Sequence, residues 1–100
     1  MRVLERSIER YFVTAARGLG CLVYKLHDRG VPDRLVIAPD RSIAFVELKR
    51  PGGKPRAEQS YYHKMLRARG LKVYVVDSRD AVIETLSEIL YGDQRVLKAI

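Results

Sequence analysis

Apolar residues recur at helical spacing along the start of the chain. Leu4, Ile8, Tyr11, Phe12 and Ala15 share one stripe, which predicts an amphipathic helix over residues 2–18, closed by Gly18 and Gly20. Cys21 to His27 and Arg34 to Ala38 read as strands separated by the breakers Gly30 and Pro32. A short Pro39-Asp40-Arg41 turn leads into a third strand, Ile43 to Lys49, apolar on both faces until its end. After the loop Pro51-Gly52-Gly53-Lys54-Pro55, a second helix is predicted over residues 56–69, with Ala57, Tyr61, Met65 and Ala68 on its apolar stripe and Gly70 as its stop. Leu71 to Val76 is a fourth strand. Ser78 caps a last helix that runs to about Tyr91, where Gly92 ends it. Residues 1–92 therefore read as one α/β domain and 93–100 as a short tail.

The order αβββαβα constrains the topology. Short turns make the first three strands antiparallel. The helix between strands three and four requires a right-handed crossover and a parallel pair. The expected architecture is a mixed four-stranded sheet flanked by helices. With the second hairpin centred near Asp40, facing positions sum to about 80, which sets Asp33 opposite Glu47. Directly opposed carboxylates have Cβ atoms roughly 5 Å apart and repel. A fold keeps such a pair to share a proton or to hold a hard divalent cation that takes oxygen ligands. Side chains alternate along a strand, so Lys49 joins Glu47 on one face, able to hold a water or to offset charge on a phosphate. Leu48 points the other way, and its carbonyl is a further candidate oxygen ligand. An ordinary surface ion pair is the competing explanation. It fits poorly with a glutamate that ends the apolar run IAFVEL, where an uncompensated charge is costly.

Composition narrows the function. One hundred residues with 47% hydrophobic content suit a single core, and the net charge of +7 suits a polyanionic partner, most commonly nucleic acid. The single cysteine, Cys21, allows no internal disulfide, sits in an apolar run as a small buried hydrophobe, and fits a reducing, cytoplasmic compartment. No apolar run reaches membrane-span length, and residues 1–20 are too charged for a signal peptide. His27 and His63 lack zinc-ligand spacing.

Pro32-Asp33 followed by Glu47-Leu48-Lys49 resembles the PD-(D/E)XK signature on its restriction-endonuclease-like αβββαβ core. More narrowly, Gly30-Val31-Pro32-Asp33-Arg34, then Phe45-Val46-Glu47-Leu48-Lys49-Arg50-Pro51-Gly52, then Gln59, resembles the VRR-NUC family over residues 3–90. The resemblance implies a metal-dependent endonuclease acting on DNA, of the small stand-alone phage or bacterial type. Such proteins look like dimeric resolvases of branched DNA such as Holliday junctions. It implies Mg²⁺, with Mn²⁺ able to substitute, held by Asp33, Glu47, the Leu48 carbonyl and a glutamate of the first helix. Glu5 and Glu9 both qualify. Glu5, roughly 80° from the centre of the apolar stripe against about 120° for Glu9, is preferred. The resemblance also implies that Gln59 assists the catalytic group of Asp33, Glu47 and Lys49.

DNA contacts are expected from Arg29 and Arg34 beside the Pro-Asp turn, from Arg50, Lys54 and Arg56 around the loop, and from Arg56, Ser60, His63 and Arg67 along a polar stripe of the second helix. Lys25 is a further candidate facing the site. A twofold dimer would present two sites to two strands, with Val96, Leu97 and Ile100 available for an interface. Two rival readings remain: a non-cleaving DNA-binding module that kept the fold, and a protein-interaction domain whose charge is incidental.

Overall fold

The computed structural model describes residues 4–92. Within them the chain forms α1 (Glu5–Gly18), β1 (Leu22–Lys25), β2 (Arg34–Ile37), β3 (Ile43–Leu48), α2 (Ala57–Ala68), β4 (Lys72–Val76) and α3 (Arg79–Tyr91), the element order expected from the sequence. The predicted tail with Val96, Leu97 and Ile100 lies outside the described residues, as do the first positions of the predicted first helix.

The strands form one sheet in the order β1-β2-β3-β4. β1–β2 and β2–β3 are antiparallel, and β3–β4 is parallel. The β2–β3 turn is pinned by its own residues. The Asp40 carboxylate accepts from the Ser42 amide at 2.9 Å, and Arg41 takes a left-handed φ of 76°. This turn sets the register Arg34↔Val46 and Leu35↔Phe45, the one its centre predicts.

Alternation along the strands gives the sheet two different faces. Ala44, Val46 and Leu48 of β3, with Val23, Val36 and Val76, meet α1 and α3 through Ile8, Phe12, Ala16, Val82, Leu86 and Ile89, all buried. Each Val, Leu, Ile or Phe side chain among them contributes about 1.5–3 kcal/mol on leaving water, so this layer is the stabilising core. Cys21 is buried in it as a free thiol. The Arg79 guanidinium, 5.0 Å from the Tyr11 ring centroid, adds a tie between α1 and α3. Ser78 caps α3 as expected, its hydroxyl accepting from the Ala81 amide at 3.0 Å.

The opposite face carries Phe45, Glu47 and Lys49 and is covered by α2 over β3 and β4. Here one expectation is corrected. The inward residues of α2 are Gln59 and His63, with Tyr62 and Leu66 half-buried, whereas Tyr61 is 60% exposed and Ala57 and Ala68 face solvent. The helix is turned nearly half a revolution from the orientation its apolar residues suggest. Among the described residues no helix is long and apolar enough to cross a membrane.

Candidate active site

The site lies where β3 leaves the sheet. Pro32 is buried and ends the β1–β2 loop, and the Asp33 carbonyl accepts from the Leu26 amide at 2.9 Å, prolonging the β1–β2 ladder by one step. The Asp33 side chain then turns to β3, where Oδ2 accepts from the Leu48 amide at 2.8 Å. That carboxylate replaces the carbonyl that a longer β2 would offer. It is thereby fixed beside Glu47, its neighbour in the extended register.

Glu47 is 1% exposed. Its Oε2 accepts from Gln59 Nε2 at 2.6 Å and lies 3.2 Å from Lys49 Nζ. Gln59 is held from both sides, because its Oε1 accepts from Lys49 Nζ at 2.9 Å and from the Arg56 amide at 2.8 Å. The second of these is one half of a capping box; Arg56 has no side-chain acceptor to supply the other. Gln59 thus ends the orphan amide of the helix start while ordering Lys49 and Glu47. Gly53 lets the following loop fold tightly over this group, since a Cβ there would sit 3.0 Å from the Arg50 carbonyl oxygen and 3.3 Å from Lys49 Cβ.

Glu47 Oε1 is different. It is buried, has no hydrogen-bond partner among the described residues, and faces His63 Nε2, equally unpartnered, at 3.6 Å. Burial, followed by the nearby Asp33 charge, pushes the Glu47 carboxyl above its ordinary value, while Lys49 pulls it down. Burial, then the Arg67 and Lys49 charges, push the His63 imidazole below its ordinary value, so the neutral ring is favoured. A buried carboxylate oxygen with no donor beside a second carboxylate is a site that a hard cation satisfies. The donor set fits Mg²⁺ or Mn²⁺: Asp33, Glu47 and the Leu48 carbonyl.

The other expected residues divide. Glu5 is exposed in the first turn of α1, yet its charge opposes ionisation of Glu47. Glu9 is engaged elsewhere, 2.9 Å from Arg34 Nε and 3.3 Å from Lys25 Nζ. Among the described residues no three His, Cys, Asp or Glu side chains are grouped to hold a metal ion, and Glu5 reaches Glu47 through its charge. Lys25 does not face that pair. Lys25 and Arg34 are cross-strand partners, and Arg34 partners Val46, which puts both on the α1 side of the sheet. His63 is buried rather than aligned on an outward stripe; its chemistry is directed at Glu47. Arg29 pairs with Glu58 at 2.9 Å, and Arg67 donates to the Val73 carbonyl at 2.8 Å. Arg50, Lys54 and Arg56 are exposed around the loop beside Lys49. The role of His63 was missed in the sequence. Its spacing of four from Gln59 was the available signal, because i and i+4 share a helix face.

An Asp at the start of one strand, a Glu-x-Lys at the end of its neighbour and this helical order define a restriction-endonuclease-like fold. No family model matches the chain. A protein of Acyrthosiphon pisum secondary endosymbiont phage 1, named "Putative nuclease p44", is 46% identical over 84 residues, spanning 80% of this chain and 90% of that protein. A solved VRR_NUC domain superposes with a TM-score of 0.78 at 37% identity, over 83% of this chain and 94% of that one. The chain belongs to the VRR-NUC family.

Proposed function

We propose that this protein is a metal-dependent DNA endonuclease, selective for branched structures in the manner of a Holliday-junction resolvase. The observation that carries the reading is Glu47, which is buried, paired on one oxygen only and neighboured by Asp33, Lys49 and Gln59. Family membership and the phage relative's name agree with nuclease chemistry.

Asp33, Glu47 and the Leu48 carbonyl would hold Mg²⁺, with Mn²⁺ an effective substitute. When bound, the ion supplies a water of lowered pKa and polarises the scissile phosphate. Lys49 donates to the attacking water and stabilises the negative charge that grows on the phosphate. Gln59 positions Lys49 and Glu47 relative to one another. Arg50, Lys54 and Arg56 neutralise backbone phosphates next to the cut.

A homodimer would address two strands of a junction. Support for it comes from the sheet face beside α2, where Leu22, Tyr24 and Ile43 are 55%, 50% and 44% exposed and share one side of β1, β2 and β3 with Leu35 and Ile37. An apolar strand face left bare is a surface for a second copy.

The test is incubation with four-way, flap and linear duplex DNA in Mg²⁺ or EDTA. Cleavage of branched DNA in Mg²⁺ alone, lost in Asp33→Ala and Glu47→Ala while binding is kept, is the expected result. Binding without cleavage under every metal condition would make the protein a DNA-binding module instead.

A further inference from the structure

A second cationic surface lies on the other side of the sheet. Arg6, Arg10 and Arg17 project from α1 within about 40° of one another around the helix axis, over roughly 16 Å of its length. With Glu9, Thr14 and Arg34 they line a groove of about 320 Å³. Four guanidinium groups there face one carboxylate. Arg34 is paired to Glu9 at 2.9 Å, and Arg17 Nη2 donates to the Val23 carbonyl at 3.1 Å. Among the described residues Arg6 and Arg10 have no hydrogen-bond or carboxylate partner, and both are exposed. Like charges are costly to line up along one helix face, and nothing in the fold uses these two.

Position relates the groove to the site. Arg34 follows Asp33 directly, and its 2.9 Å pairing with Glu9 ties the Arg6–Arg10 end of α1 to that end of the sheet. From that end of the sheet the stripe runs away along α1. Phosphates of one DNA strand rise 3.4 Å each along the duplex axis, so about 16 Å of helix can meet several of them. We infer that the α1 groove, with Arg6 and Arg10 as its free cations, binds the phosphate backbone of the DNA arm that flanks the cleavage site. The inference rests on the nuclease reading and extends it to a surface remote from Asp33 and Glu47. Such contacts hold an arm in place and carry no base preference.

The test is fluorescence anisotropy of labelled four-way DNA across a salt series in EDTA, so that binding is read without cleavage. The double variant R6Q/R10Q keeps good helix formers at exposed positions. Each phosphate contact contributes about 0.9 to the slope of log K against log salt. The variant's slope should therefore be shallower by about 1.8, and its affinity at 0.1 M salt about 60-fold weaker. R41N/K72Q removes the same charge at the far end of the sheet, with asparagine suited to the positive φ at position 41. It should keep the parent slope. An unchanged slope in R6Q/R10Q overturns the inference. An equal fall in both variants also overturns it, by showing that net charge rather than the groove is responsible. Absence of DNA binding by the parent protein would remove the nuclease reading along with it.

Discussion

Replacing Glu47 with glutamine should stabilise the metal-free protein. The glutamine carbonyl oxygen can occupy the Oε2 position and accept from Gln59 and Lys49, while its amide turns to the unpartnered Nε2 of the neutral His63. The Gln59 bond becomes neutral, and Lys49 keeps a donor's charge but loses its counter-charge, together a loss of about 2 kcal/mol. Against this, the carboxylate no longer has to be buried, an effective penalty of several kcal/mol. The balance is a gain of about 2 kcal/mol, which in a domain of this size is roughly a 10 °C rise in Tm. The pH dependence has a definite sign. Because the folded carboxyl titrates above its unfolded value, the penalty is absent below about pH 4 and complete only above the raised pKa. The advantage of Glu47→Gln should thus vanish in acid and appear as pH rises. Thermal denaturation in EDTA from pH 4 to 8 measures it. Equal or lower Tm at pH 7, or a gain that persists undiminished at pH 4, would refute the reasoning.

Two further changes probe the same network, and a third probes the loop that packs on α2. Lys49→Met strips the buried carboxylate of its cation and should cost about 3 kcal/mol in urea unfolding. Its cost should fall by at least half in a Glu47→Gln background, and additivity of the two would disprove the coupling. Gln59→Leu severs the links to Glu47, Lys49 and the Arg56 amide at once, and should weaken Mn²⁺ binding by about 10–100-fold with the far-UV spectrum unchanged. Gly30→Ala meets both a positive φ of 86° and the Tyr62 ring 2.7 Å from its new Cβ. It should lower stability by about 2 kcal/mol or more, and an unchanged denaturation midpoint would show that the β1–β2 loop does not press on α2.

The β2–β3 hairpin was legible because its turn centre and the period of two are enough to fix register, and the register puts Asp33 beside Glu47. The orientation of α2 was not. Its inward residues, Gln59 and His63, are polar because they meet a polar site, so the hydropathy of the helix indicates the wrong side. Lys25 could have been placed correctly by carrying the register one strand further, since Lys25, Arg34 and Val46 share the face away from Glu47. The engagement of Glu9 by Arg34 and Lys25 arises from ion pairs across elements, which spacing along a single helix does not encode.

Calorimetric titration of Mn²⁺ into the intact protein, with and without four-way DNA, bears most directly on the claim that a divalent ion accounts for two adjoining carboxylates. Saturable uptake that is lost in Asp33→Asn and in Glu47→Gln is the predicted outcome. No uptake in either condition, or uptake unaltered by both substitutions, would contradict it.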